Sequence, residues 1–504
     1  MQFLYQPIAT LPPLAWCARI EHGNAIVAVL HGGSVETRPR AFVEGAWNGD
    51  FAALDLTGAT VVAGTGGVAE RDRVRFSAST DTCSPLFTIG KAASTYVSNS
   101  PAFVMAVAGE APDDMYPFYP YDFLRIYRQG LRCSRGQLAL YSGAGLGVHF
   151  STIVSFDAHG CVAFDRHPLC AAPTDYNSYK AQLLDAVSKV VENAKDPLRT
   201  RPYRPLASLS RGYDSSATAV LAKLAGCTES ITFTDSRQKA ASSDSGADNA
   251  RLLDMSCRIF GRWHYRDLDG VAEAEFGYVA IASMVPLAVI GEELGGRLLI
   301  VGDSGGSIWD PQRAWACDEL SRPWMRYTLG LSSIEFRLRV GYIAFAPPGI
   351  AARHNRRIHA IAVSDEMRPW SVGGDYDRPL PRRIAEAAGL PRASFGMVKL
   401  ASAHTHLIHP GRFSPRALAD YRDFVARRHA TVPRSVRSYW RTRAQRRHAV
   451  WDALERNQSS DQEAFSPSYF PPSHRIPWDF MFTFQWAVAS MASRYAAASV
   501  SSAG

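Results

Sequence analysis

An apolar run ending at Leu209 meets the small-residue run Ala217-Thr218-Ala219-Val220-Leu221-Ala222 across one polar stretch, Leu209-Ser210-Arg211-Gly212-Tyr213-Asp214-Ser215-Ser216. That juxtaposition constrains the fold more than any other feature, because it predicts a strand, a tight turn and a helix start in immediate succession. Ser, Gly and Asp residues at such a junction turn backbone N–H groups and hydroxyls toward one point at the positive end of the helix dipole. Gly212 allows close approach of backbone to an anion, and the Asp214 carboxylate suits Mg2+ better than phosphate. The octapeptide therefore suits a polyphosphate site, and it equally suits an ordinary Ser/Gly-rich capping turn. It lacks the Gly-Lys-Ser/Thr ending of a Walker loop.

The flanking pattern alternates. Strands are expected at 206–210, 230–234, 263–267 and 297–301, with helices at 178–194, 215–224, 247–260 and 278–290. This is an α/β pattern with a parallel sheet and right-handed crossovers, whose ligand loops lie at the carboxyl ends of the strands. Three loops qualify: the octapeptide, Thr234-Asp235-Ser236, and Gly302-Asp303-Ser304-Gly305-Gly306. Residues 1–172 show short apolar runs broken by Gly, Pro, Asn and Asp, and so predict strands. Beyond 411, helices are expected at 421–447 and 480–498, with a surface loop at 466–473.

Length and composition, 504 residues with 46% hydrophobic and 20% charged, allow several full-sized cores. The most apolar segment, 278–290, stops at Glu292-Glu293 and is too short to span a bilayer, so no membrane span is expected. Nothing at Met1-Gln2-Phe3-Leu4-Tyr5 has the form of a signal peptide, and a cytoplasmic location is expected. Eight scattered cysteines without a CxxC pair read as free thiols rather than zinc ligands. The net charge of +8 comes mostly from arginines after Arg353, densest at 427–447. A solvated helix face paired with Asp452, Glu455 and Asp461 is favoured there over an acidic ligand, and no nucleic-acid partner is expected.

The octapeptide resembles the Ser-Gly-Gly-x-Asp-Ser pyrophosphate loop of the N-type ATP pyrophosphatases, and of the asparagine synthetase family in particular. Further motifs follow in the same order. Gly302–Gly306 falls where that family has "[ST]-G-x-G-x-D-E"; Ser364–Trp370 is similar to "E-x-R-x-P-F", with Glu366 at its glutamate; and Tyr376–Arg392 is similar to its "K-x-[IL]-L-R-x-A-x-x-G-x-[IL]-P" helix, with Lys399 at the place of the lysine in "R-x-K". Upstream, Phe42–Ala52 resembles the "G-x-[FW]-x-G-D-[FY]" hairpin of class II glutamine amidotransferase domains.

The resemblance implies an α/β protein with an α+β, sandwich-like amidotransferase-type domain (1–172) and a parallel-sheet, adenine nucleotide α-hydrolase-like synthetase domain (176–411). The helical C-terminal extension (412–504), read from its apolar pattern, has no counterpart in that family. The resemblance implies ATP and Mg2+ as cofactors. Leu209, Ser210, Arg211, Gly212, Asp214, Ser215 and Ser216 would hold pyrophosphate, Thr234 and Gly302 would contact the nucleotide, and Asp214 would hold Mg2+; Asp303, or else Asp310, stands in for the second metal carboxylate that the family draws from an acidic pair absent here. Lys399 would face the charge of the transition state, and Glu366 would help deprotonate an attacking amine. The implied reaction is adenylation of a small carboxylic acid, then amide formation with ammonia or an amine; a homodimer is compatible with it. The chain departs from the family at Arg211, at Gly305-Gly306-Ser307 in place of an acidic pair, and at Met397 in place of arginine. Residue 2 is Gln2 and the first cysteine is Cys17, so glutaminase chemistry is not expected. The alternative is a catalytically silent ATP-binding homologue.

Overall fold

A computed structural model describes residues 1–123, 137–235, 243–280, 283–311, 329–374, 376–398, 405–443, 445–446 and 476–501. Helices of six residues or more are numbered here.

Alternating apolar residues in the first 165 positions build two sheets. β1 (Gln2–Pro7), β2 (Trp16–Glu21), β3 (Ile26–His31), β8 (Leu86–Lys91), β9 (Ser94–Ser98), β10 (Leu138–Ala139) and β11 (Gly145–His149) form the first, in the order β1-β3-β2-β9-β8-β11-β10. The second comprises β4 (Glu36–Arg38), β5 (Ala41–Trp47), β6 (Val62–Ala69), β7 (Arg73–Ser77), β12 (Ile153–Asp157) and β13 (Val162–Asp165), in the order β13-β12-β7-β6-β5-β4. Only β1 and β3 pair in parallel within these two sheets. Inward residues of both, including Phe3, Trp16, Val27 and Val29 against Phe42, Val74, Phe76 and Phe156, make one buried cluster. The Trp16 ring lies 4.8 Å from Phe42 and its Nε1 donates to Thr65 Oγ1 at 2.8 Å, so the buried indole polar atom is satisfied. α1 (Pro101–Ala108), capped by the Ser100 hydroxyl, follows β9.

α2 (Tyr176–Lys195) opens on a capping box at Asp175 and buries Leu183, Val187, Val190 and Val191, the periodic positions. Then come β14 (Arg204–Ser208), α3 (Tyr213–Leu224), β15 (Glu229–Phe233), α4 (Ala247–Leu252), β16 (Ser256–Phe260), β17 (Arg297–Ile300), α5 (Leu329–Val340), β18 (Ile343–Phe345), α6 (Asn355–Ala362) and α7 (Pro379–Ala387). The five strands form an entirely parallel sheet ordered β16-β15-β14-β17-β18. The chain is thus mixed α/β, with a parallel sheet beside two largely antiparallel ones.

Four expected elements differ. The helix at 247–260 ends at Leu252, because Asp254 turns left-handed (φ +50°) and Ser256–Phe260 becomes the strand that pairs with β15. The strand expected at 263–267 is instead a 3-10 turn, His264–Asp267. At 278–290 the described helix is only the 3-10 segment Val285–Ile290, where Pro286 has no N–H to donate. Past residue 411, α8 (Pro415–Thr431) stops before Pro433 and a second helix runs from 434, so 421–447 is broken by that proline.

α9 (Thr483–Ser501) is buried deeply: Phe484 lies 4.7 Å from Tyr119, and the Tyr495 hydroxyl donates to Glu335 at 2.6 Å. Glu335 also accepts from Ser100 (2.6 Å) and Tyr278 (2.8 Å), so one carboxylate joins α1, α5 and α9. A second joint is the fully buried pair Glu44–Arg337, with contacts of 2.6 and 3.0 Å; Thr65 and Asn99 also donate to Glu44.

Candidate functional site

Strand order reverses between β14 and β17, which leave the sheet centre in opposite directions. A crevice at such a switch point, outside the carboxyl ends of the strands, is where open parallel sheets bind ligands. Both loops bordering it were singled out from sequence.

After β14, Ser210 Oγ and Ser215 Oγ lie 2.8 Å apart, Gly212 N donates to Ser210 Oγ at 3.1 Å, and Ser216 Oγ donates to the Ser210 carbonyl at 3.3 Å. The turn is thereby shaped by its own hydroxyls. Gly212 stands at the N-cap of α3 and no side chain caps that helix, which leaves its N-terminal end open to an anion. Leu209 is buried, and its backbone N bonds the Ile231 carbonyl of β15. Arg211 is exposed; its N donates to Asp244 and its Nε to the Ser394 carbonyl at 3.4 Å, which holds the guanidinium across the outside of the turn.

Across the crevice, the loop after β17 packs directly on the first turn of α3. A Cβ on Gly302 would fall 2.6 Å from Asp214 C and Ser215 N, and one on Gly305 would fall 2.7 Å from Asp214 Cγ. Ser304, held left-handed at φ +64°, turns the chain so that Gly305 reaches Asp214. Asp303 lies in the same loop. Burial, the neighbouring carboxylate of Asp81 and that of Asp214 push its pKa up to about 7. Asp81 comes from the sandwich: its Oδ1 accepts from Cys83 N (2.8 Å) and its Oδ2 from Ala346 N (3.1 Å), just past β18. Sequence reading missed Asp81, and only the distant pairing of residues 81 and 346 reveals it.

Asp214 and Asp303 offer hard oxygen ligands on facing loops, and a divalent cation would relieve the crowding that raises Asp303. Among the described residues no group of three or more His, Cys, Asp or Glu could hold a metal alone. A nucleotide-bound Mg2+ needs only one or two protein carboxylates, so this pair fits that role.

Thr234 follows β15; its carbonyl accepts from Asp244 N at 3.3 Å, linking the second expected loop to the partner of Arg211. Ser236 lies outside the described residues. Glu366 has a different setting: its Oε1 accepts from Tyr176 N at 3.2 Å and its Oε2 from Arg383 at 3.0 Å. That geometry places a negative charge at the positive end of α2 and pairs it with Arg383. Lys399 lies outside the described residues, as do Cys133, Cys317, Asp452, Glu455, Asp461 and the loop at 466–473. Gly396, three residues before Lys399, donates its N–H to the Arg211 carbonyl at 2.7 Å. Cys17 is fully buried inside β2, and burial raises its thiol well above the usual range, so it is no nucleophile here.

No protein-family model matches the chain, and no curated protein does. No described helix is long and apolar enough to cross a membrane.

Proposed function

We propose that the chain is an ATP-dependent amide-forming ligase of the asparagine synthetase type, with an amidotransferase-like sandwich that has no glutaminase chemistry. One observation carries this reading. The uncapped start of α3 and the Gly302–Gly305 loop converge at the switch point of a parallel sheet, at a distance only glycine permits. Backbone N–H groups of α3, with Ser210 and Ser215, would hold the pyrophosphate end of ATP, and Asp214 and Asp303 its Mg2+. The carboxylate of a small acid would attack the α-phosphorus of ATP and displace pyrophosphate, giving an acyl-adenylate; ammonia or an amine would then attack the acyl carbon, lose a proton and expel AMP. The tie between Gly396 and Arg211 brings the chain leading to Lys399 to this loop, which supports a place for that lysine beside the phosphates. With Glu366 engaged as a cap, it is not assigned the amine's proton.

A silent ATP-binding homologue is the second reading, favoured by Gly305-Gly306-Ser307, which puts no carboxylate where the resembled family has two. Pyrophosphate release from MgATP, measured against a panel of carboxylic acids with ammonium or amines, separates them. Acid-dependent release that is lost in Asp214→Ala and Lys399→Ala is expected. Tight ATP binding without release for any acid refutes the ligase reading in favour of the silent one.

A further inference from the structure

The C-terminal helices carry a concentration of charge that the crevice does not use. Between 411 and 446 stand ten arginines against two aspartates, a surplus equal to the +8 of the whole chain, and no lysine occurs after Lys399. Arg422, Arg427, Arg434, Arg441, Arg443 and Arg446 are exposed on α8 and on the helix from 434.

The acids near this face are few. On the 113–123 segment Asp114 pairs with Arg428 at 2.6 Å, while Asp113 and Asp122 accept from Met115 N and the Tyr116 hydroxyl; Asp420 accepts from Trp486 at 2.7 Å, Asp423 lies on α8, and Asp479 acts on His429. Among the described residues, no ion pair is formed by the six exposed arginines. Nor do the adjoining sequences neutralise the surplus: 447–475 has three arginines and four acids, and 124–136 has four arginines and no acid. Segment 113–123, which leads into the latter, meets the face where Arg443 lies 5.4 Å from the Phe118 ring. His429, within the face, has its proton affinity lowered by burial and then by Arg437 and Arg441, against a smaller opposing effect of Asp479.

Independently of the ligase reading, we propose that this arginine face is a docking surface for an acidic polypeptide segment. Guanidinium groups bind carboxylates in bidentate fashion, and an all-arginine surface is suited to that geometry in a way lysine is not. Nucleic acid fits less well, because sequence-tolerant binding of bases needs aromatic platforms and Tyr439 is the one exposed aromatic ring among the described residues from 411 to 446.

Fluorescence anisotropy of a labelled oligoglutamate peptide with the full chain tests this, beside a neutral peptide, single-stranded RNA and phosphatidylglycerol vesicles. Arg427→Glu/Arg434→Glu/Arg446→Glu reverses the face at exposed positions. Arg71→Glu/Lys195→Glu/Arg201→Glu changes net charge equally at exposed positions elsewhere. Expected is salt-sensitive binding of oligoglutamate, weakened on the order of tenfold by the first triple and little by the second. Tighter binding of RNA or vesicles than of the peptide would overturn the assignment to a polypeptide. Absence of binding, or equal loss in both triples, would overturn the face itself.

Discussion

Gly302→Ala examines the convergence on which the site depends. The new methyl would stand 2.6 Å from Asp214 C and Ser215 N, both backbone atoms in the first turn of α3. Carbon contacts are comfortable only from about 3.5 Å, so the loop after β17 must retreat by about 1 Å. Overpacking of this kind costs about 1–3 kcal/mol of stability, and a displacement of about 1 Å in a reacting geometry lowers rates about a hundredfold. Gly305→Ala differs in kind, because its methyl meets the Asp214 side chain, Cγ at 2.7 Å and Cβ at 2.8 Å, and so displaces the carboxylate together with the Gly305 loop. Pyrophosphate release at saturating ATP, titrated with Mg2+, separates the two. Gly302→Ala should lower the rate at every Mg2+ concentration, while Gly305→Ala should recover part of it at high Mg2+. Gly411→Ala, with nothing within 4 Å of its added Cβ, serves as the control. Unchanged melting and ATP binding in Gly302→Ala would refute the close packing of the two loops.

Glu44→Ala leaves Arg337 charged and buried, with an expected loss of about 3–5 kcal/mol by urea denaturation, whereas Glu44→Met/Arg337→Met should lie near wild type. In metal-free protein, burial and the neighbouring Asp81 and Asp214 carboxylates push the Asp303 pKa from the ordinary 3.8 up to about 7, so the folded state holds the extra proton. Its stabilising contribution is complete below about pH 4 and is lost as pH rises through 7; urea midpoints of wild type minus Asp303→Asn should fall across that window. Glu366→Gln removes a helix-capping charge and the Arg383 pair, and should lower thermal stability slightly, within about 1 kcal/mol, while pyrophosphate release stays near wild type. A large fall in that rate with KM unchanged would return Glu366 to the chemistry.

Much of the crevice was legible because its determinants are local. The small-residue run after Ser216 and the hydroxyls of Ser210 and Ser215 specify strand, turn and helix within a few positions, and Gly302 and Gly305 mark a close approach. What could not be read is non-local. Met255 to Phe260 carries apolar residues that suit a helix or a strand, and pairing with β15 decides between them. Glu366 matched a motif, yet its partners, Tyr176 and Arg383, are chosen by the fold. The same holds for Asp81, whose route to β18 spans most of the chain.

The pairing of Glu44 with Arg337 also sets a timetable for synthesis. The two residues are 293 positions apart, so at about 5–20 residues per second the ribosome makes the carboxylate roughly 15–60 s before its guanidinium. Until then, of the donors to Glu44 among the described residues, only Thr65 and Asn99, both from the sandwich itself, are available. The nascent N-terminal half therefore spends that interval with a carboxylate in its interior that still lacks its guanidinium.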